Sequence, residues 1–237
     1  MKNKFRFLEY DSNKFGYKVA ELININSKQE LKDSLLELKE NNYKLCYFMF
    51  NTDEDEKKLW ANELNGWFAD VKVTLSKALN TENITDIKDI QKYKYNEIND
   101  DLLSLAYQSG FESRFKKDPK FSNNEFKKLY YDWIKKSVTC EIADYVLVKY
   151  QNDEIIGFIT VKFEQPFATI GLIAVNKSYR SQGIGKKLLK KAEFIAYQNN
   201  CEKINVSTQE INTNAINFYL RNQYSVIFRK NIYHFWF

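Results

Sequence analysis

The run Arg180-Ser181-Gln182-Gly183-Ile184-Gly185 has the residue types of an anion site. It follows the apolar segment Ala168 to Val175, which reads as a strand, and opens the amphipathic segment Ile184 to Asn199, which reads as a helix. The first turn of a helix has backbone N–H groups without intrahelical acceptors and the positive end of the dipole. Glycines at 183 and 185 remove side chains where a ligand must approach backbone. Arg180, Lys186 and Lys187 add positive charge, so the chemistry on offer is that of a pyrophosphate site. Two nucleotide patterns fail. In GxxxxGK[ST], Arg180 stands where the first glycine is needed and Lys187 where Ser or Thr is needed; a GxGxxG finds no third glycine after Gly185. A purely structural strand-turn-helix is the alternative.

Two further side chains, Tyr219 and Arg114, have types suited to handling a proton and a phosphate. Tyr219 lies in the segment Thr213 to Arg221, which reads as a helix, about two turns from Asn212. A phenol, with an ordinary pKa of about 10, is protonated at neutral pH and is a proton donor. Arg114 sits in a polar stretch, 114–124, and its guanidinium fork suits a phosphate of the substrate; a surface arginine is the alternative. The proton acceptor is not readable: Glu164, Glu210 and Glu112 are candidates, beside water. The single histidine, His234, falls in an aromatic terminal strand and reads as structural.

The elements that must position these residues fall into two halves. In the first, 1–84, a strand and turn surround Asp11-Ser12-Asn13-Lys14-Phe15-Gly16. Ser27 and Glu30 have capping-box spacing ahead of Leu31, Leu35 and Leu38. Strands follow over Lys44 to Phe50 and Val71 to Leu79, with a helix over Asp53 to Leu64 between them. The polar stretch Asn80 to Tyr95 holds the boundary. The second half, 85–237, has helices over Asn99 to Ser109 and Glu125 to Val138. A hairpin (Tyr145 to Tyr150, Ile155 to Phe163), a third strand, the long helix and strand Lys203 to Thr208 come next, then a helix and terminal strands.

The second half resembles the GNAT N-acetyltransferase superfamily. Arg180 to Gly185 fits its R/Q-x-x-G-x-G/A loop, Ile173-Ala174-Val175 its splayed strand, and Asn212, Ala215 and Tyr219 its N-x-x-A-x-x-x-Y signature. The resemblance implies an α/β (α+β) GNAT fold, a mixed and mostly antiparallel sheet flanked by helices, with a smaller N-terminal α/β domain serving substrate binding or dimerisation. It implies acetyl-CoA as co-substrate, with pantetheine on the backbone of Ile173 to Val175 and near Asn212. Pyrophosphate would lie on backbone from Arg180 through Ser181, Gln182, Gly183, Ile184 and Gly185 to Lys186, and Tyr219 would be the general acid. A backbone N–H near Ile173, freed by a bulge, would face the oxyanion. The full length is also similar, in patches, to acetyltransferases of nucleotide-linked amino sugars of the dTDP-fucosamine type, from bacterial surface-polysaccharide synthesis. Asp11-Ser12, Phe15-Gly16, Ser113-Arg114-Phe115, Trp133-Ile134 and Tyr233 to Trp236 carry that likeness. The implied acceptor is a 4-amino-deoxyhexose, with a peptide, an antibiotic or another small amine as the alternatives.

Composition bounds the rest. With 44% hydrophobic and 28% charged residues, and no apolar run of the roughly 20 residues a membrane span needs, a cytoplasmic globular protein is expected. Cys46, Cys140 and Cys201 show no CxxC spacing, so no metal site is expected. The net charge of +5 is dispersed, which reads as solvated faces, with a basic patch for a phosphorylated small molecule as the alternative; a nucleic-acid partner would call for clustered lysines, so none is expected. A non-catalytic acyl-CoA sensor is the reading from another class; retention of both Asn212 and Tyr219 speaks against it. The aromatic terminal strand leaves a homodimer open.

Overall fold

The computed structural model describes residues 3–80 and 84–237. Its spine is a ten-stranded sheet in the order β1-β2-β3-β10-β4-β9-β8-β7-β6-β5. In chain order the strands are β1 (Phe5–Phe7), β2 (Lys18–Leu22), β3 (Tyr43–Asn51), β4 (Trp67–Ala78), β5 (Gln91–Lys92), β6 (Tyr145–Gln151), β7 (Glu154–Glu164), β8 (Phe167–Val175), β9 (Lys203–Gln209) and β10 (Ser225–Trp236). Among the described residues only β2–β3 and β8–β9 pair parallel; the other neighbours are antiparallel. β4, from the first half, lies between β9 and β10 of the second, so the halves divided at 84/85 are joined by a continuous sheet. Part of the boundary stretch, 81–83, and the first two residues lie outside the described residues.

The helices are α1 (Glu9–Phe15), α2 (Lys28–Glu40), α3 (Asp55–Glu63), α4 (Asp100–Ser109), α5 (Arg114–Lys117), α6 (Asn123–Val138), α7 (Ile184–Gln198) and α8 (Thr213–Arg221). Strand alternation sorts them into layers. On β6, Leu147 belongs to the core under α7, while Val146 and Val148 belong to the core under α4 and α6. On β3, Cys46, Phe48 and Phe50 meet α2 and α3, while Leu45 and Tyr47 meet α1, α5 and α6.

Several local expectations change. The turn at Asp11 to Gly16 is instead the helix α1. Ser12 N–H donates to the Leu8 carbonyl, and left-handed Gly16 (φ 79°) closes the helix by donating to the Ser12 carbonyl. The Ser12 hydroxyl donates to Leu8 and accepts from Val19 N–H at 2.9 Å, stitching the helix to β2. The expected loop at 114–124 begins with a single helical turn, α5, and α6 starts at Asn123. At α2, Ser27 accepts from Glu30 N–H as a cap, but the Glu30 carboxylate takes the N–H of Asn26 rather than that of Ser27. Asn99 caps α4 by accepting from Leu102 N–H. β4 begins four residues before the expected strand, at Trp67, and this brings Asp70 into the sheet.

Candidate active site

β8 runs parallel to β9 only from Phe167 to Ile170, against Lys203 to Val206. Beyond Ile170 the strands part. On its other edge β8 pairs with β7, but the register slips between Ile159↔Ile173 and Val161↔Ile170, which puts one extra residue in β8. Leu172 N–H within this bulge donates to Thr160 Oγ1 at 2.8 Å. The result is a fork whose β8 arm carries Ile173, Ala174 and Val175.

At the end of that arm, Arg180 Nε donates to the Val175 carbonyl at 3.1 Å, which ties the loop to the strand. Ser181 (φ 63°) and Gly183 (φ 77°) are both left-handed. Gly183 is the N-cap of α7 and supplies no side chain to its N–H groups, which leaves them directed outward. A Cβ on Gly183 would meet no protein atom within 4 Å, so within the fold this glycine is required for its φ. Gly185 differs. Its Cβ would stand 3.2 Å from the Phe218 ring, so it allows α8 to pack on the start of α7. Gly185 thus has a packing role within the fold, beside the ligand approach expected of it. Lys187 is held by Asp89 at 2.8 Å and Lys191 pairs with Asp86.

Asn212 is the N-cap of α8; its side-chain oxygen accepts from Ala215 N–H at 3.1 Å, leaving the NH₂ for other partners. Tyr219 follows two turns later and is 3% exposed, between Phe218 and Tyr224. Burial pushes its phenol well above the ordinary range, so it is a protonated group throughout neutral pH.

Ile173, Asn212 and Tyr219 line one cavity of about 630 Å³. The same cavity reaches Arg114, with Tyr10 and Asp11 of α1, Asp70 and Lys72 of β4, and Trp133 of α6. Arg114 stacks 4.6 Å from the Tyr47 ring and 4.5 Å from the Phe115 ring, and its Nε is buried without a partner among the described residues. Its charge acts on both neighbouring carboxylates. Asp11 is nonetheless raised by burial, and Asp70 is raised by burial to about 6, while burial and Arg114 lower Lys72. Of the carboxylates expected as proton acceptors, Glu164 lines the cavity but is exposed. Glu210 pairs with Arg229 and Glu112 with Lys117. Asp70 and Lys72 carry no motif in the sequence, and Asp11 enters there only through the likeness to amino-sugar acetyltransferases. The alternation Asp70-Val71-Lys72-Val73 was the available signal, but it reads equally as a solvated strand face.

His234, 1% exposed, is not in the cavity wall. Its Nδ1 lies 2.6 Å from Asp118, which also accepts from Trp236 Nε1 at 2.9 Å and from Lys120 N–H. Burial keeps the imidazole neutral, lowering it to about 4.

Residues 107–223 match the family model described as acetyltransferase (GNAT) family. A structure of a conserved protein from Staphylococcus epidermidis superposes with a TM-score of 0.70 at 16% identity, over 99% of this chain and 91% of that one. A GCN5-related N-acetyltransferase from Sphaerobacter thermophilus does so with 0.63 at 12% identity, over 98% and 76%. The chain has the GNAT acetyltransferase fold. Among curated proteins, Streptothricin acetyltransferase A of Bacillus subtilis is 31% identical over 110 residues, 46% of this chain and 64% of that protein. The chain thus spans slightly less than two thirds of that relative. The GNAT match covers the loop at Arg180, Asn212 and Tyr219, and ends before β10. No helix among the described residues is long and apolar enough to cross a membrane.

Proposed function

We propose that the chain is a cytoplasmic acetyl-CoA-dependent N-acetyltransferase whose acceptor is the amine of a nucleotide-linked amino sugar, a 4-amino-deoxyhexose used in bacterial surface polysaccharide. The observation that carries this reading is the single cavity joining the β8–β9 fork, Asn212 and Tyr219 to the Arg114 end. The fork and the N-terminus of α7 fit the co-substrate: open strand backbone for an amide-rich arm and free N–H groups for a pyrophosphate. Tyr10, Phe115 and Trp133 give the other end apolar faces of a kind that suits a deoxysugar ring, and Arg114 suits its phosphate.

The chemistry follows from the acceptor nitrogen attacking the thioester carbonyl directly. The cavity orients the two reactants. Backbone N–H of the bulged β8 arm near Ile173 stabilises the oxyanion. Tyr219 donates its proton to the departing thiolate and is reprotonated from the nitrogen as the amide forms. In this reading the first half serves the acceptor, supplying Tyr10, Asp11, Asp70 and Lys72.

A second acceptor class has an observation of its own. The curated relative is named for an antibiotic, streptothricin, and the carboxylates Asp11, Asp70 and Glu164 suit a cationic small amine. A thiol-release assay with acetyl-CoA separates the readings. The panel holds dTDP- and UDP-linked 4-amino sugars, streptothricin-type antibiotics and peptide amines. Release with the sugars is expected; release with antibiotics or peptides alone overturns the sugar acceptor. Tight acetyl-CoA binding without release for any amine favours a sensor.

A further inference from the structure

An amine reaches the enzyme protonated, and an ammonium group has no lone pair with which to attack. Some group in the cavity must take that proton. Of the three carboxylates in the cavity wall, Glu164 is exposed and Asp11 is half-buried beside Arg114. Asp70 alone is buried, at 7% exposure. No ion pair holds it among the described residues; the adjacent Val71 N–H donates to its Oδ1 at 2.7 Å.

The position follows from sheet geometry. Asp70 pairs with Ile232 of β10, and that residue also lines the cavity. The register slips immediately after this pair, between Ile232 and Tyr233. On the other edge of β4, Val71 accepts from Glu210 N–H, where β9 leaves the sheet toward Asn212 and α8. Asp70 therefore stands beside the strand end that leads to Tyr219, in the cavity that Tyr219 lines.

We propose that Asp70 is the catalytic base that accepts the proton of the acceptor's ammonium group. This rests on the N-acetyltransferase reading and adds the missing half of its proton balance. The ammonium N–H bond breaks and the proton goes to an Asp70 oxygen. The neutral amine forms the C–N bond, the C–S bond breaks, and Tyr219 gives its proton to sulfur. The second nitrogen proton restores the phenol, and Asp70 releases its own to water. One acetyl group moves and one proton is lost in total.

Burial raises Asp70 to about 6, which suits a base that must be ionised at neutral pH yet bind a proton readily. The charged and titratable groups around it are Arg114 of α5, Asp11 of α1, Glu210 beyond β9, Lys162 and Glu164 of β7, Tyr219 of α8 and Lys72 on its own strand. From β10 it faces Ile232. Burial raises both Asp70 and Asp11; at Asp11 the main opposing influence is Arg114, whereas at Asp70 the backbone N–H groups of Val71 and Glu210 come before it.

The test compares wild type with Asp70→Asn, an isosteric change, by thiol release across pH with the best amine of the panel. Expected are a wild-type acid limb in kcat/KM near pH 6 and a loss in Asp70→Asn of roughly 10²–10⁴-fold in kcat. The variant's limb at pH 6 is gone, and its acetyl-CoA affinity is unchanged. Asp70→Ala with added formate should regain part of the lost rate. Turnover of Asp70→Asn within about threefold of wild type, or the same acid limb in the variant, overturns the assignment of Asp70 and leaves N-acetyl transfer standing. If the variants do not fold, absence of the wild-type limb overturns it instead. A wild type inactive on every amine overturns both readings.

Discussion

The ring of Phe218 lies against Gly185, so close that a Cβ there would stand 3.2 Å from it. The start of α7 and the body of α8 thus meet through the Phe218 ring. The Gly183–Gly185 turn and the helix bearing Tyr219 form one packed unit, and a side chain at 185 disturbs both. Gly185→Val is expected to weaken acetyl-CoA binding and lower turnover together, by tenfold or more. For Ala the ring must give by a few tenths of an ångström, so Gly185→Ala should cost about 1 kcal/mol. Calorimetry with acetyl-CoA and thermal melts check both.

Gly183 makes the opposite case. No protein atom lies within 4 Å of a Cβ there, and within the fold it is φ 77° that demands glycine. Gly183→Ala should cost about 1–2 kcal/mol through backbone strain alone, and Gly183→Asn, which tolerates the left-handed region, should recover part of it. Equal melting temperatures for both variants would contradict a purely conformational role.

Arg114 lines the end of the cavity proposed for the acceptor and stacks between Tyr47 and Phe115. Arg114→Ala is expected to raise the acceptor KM by tenfold or more and leave that of acetyl-CoA alone. Arg114→Lys should not restore it, because an ammonium lacks the planar stacking face. Steady-state kinetics with each substrate varied in turn decide this, and an unaltered acceptor KM removes Arg114 from recognition.

His234 sets a pH limit on the fold. Its folded value is lowered from 6.5 to about 4 by burial. A lowered value means stability that is fully present above pH 6.5. That contribution is lost as pH falls from 6.5 toward 4, because the unfolded chain takes up the proton first. Thermal melts of wild type should drop over that window, and His234→Gln should flatten this part of the curve. Asp118→Ala, which strands His234 Nδ1 and Trp236 Nε1, should cost about 3 kcal/mol at pH 7.

Much of the site was legible because its residues are close in sequence. Arg180 to Gly185 fall in one strand-turn-helix, and Asn212 and Tyr219 share one helix, so local patterns located them. The acceptor end is assembled from residues far apart: Asp11, Asp70 and Arg114 come from α1, β4 and α5. Their proximity depends on β10 running between β3 and β4, a long-range pairing that no local period encodes. Asp70 escaped notice because a polar residue alternating with valines looks alike facing water or a cavity. The helix α1 was hidden for a related reason: Asp-Ser-Asn before glycine is turn chemistry, and the Ser12 hydroxyl that ties this helix to β2 finds its partner, Val19, outside it.

Tyr219 as proton donor is testable by Tyr219→Phe, which keeps the ring packing against Tyr224 and removes only the hydroxyl. Acetyl-CoA affinity should hold while kcat falls by roughly 10²–10⁴-fold. Unchanged turnover removes Tyr219 from the mechanism.

The most direct measurement follows labelled acetyl from acetyl-CoA to a nucleotide-linked 4-amino sugar. Label recovered on the sugar nitrogen with wild type, and recovered far more slowly with Tyr219→Phe, is the predicted result. Label that stays on the coenzyme with this sugar and with every other amine supplied would contradict acetyl transfer in this cavity.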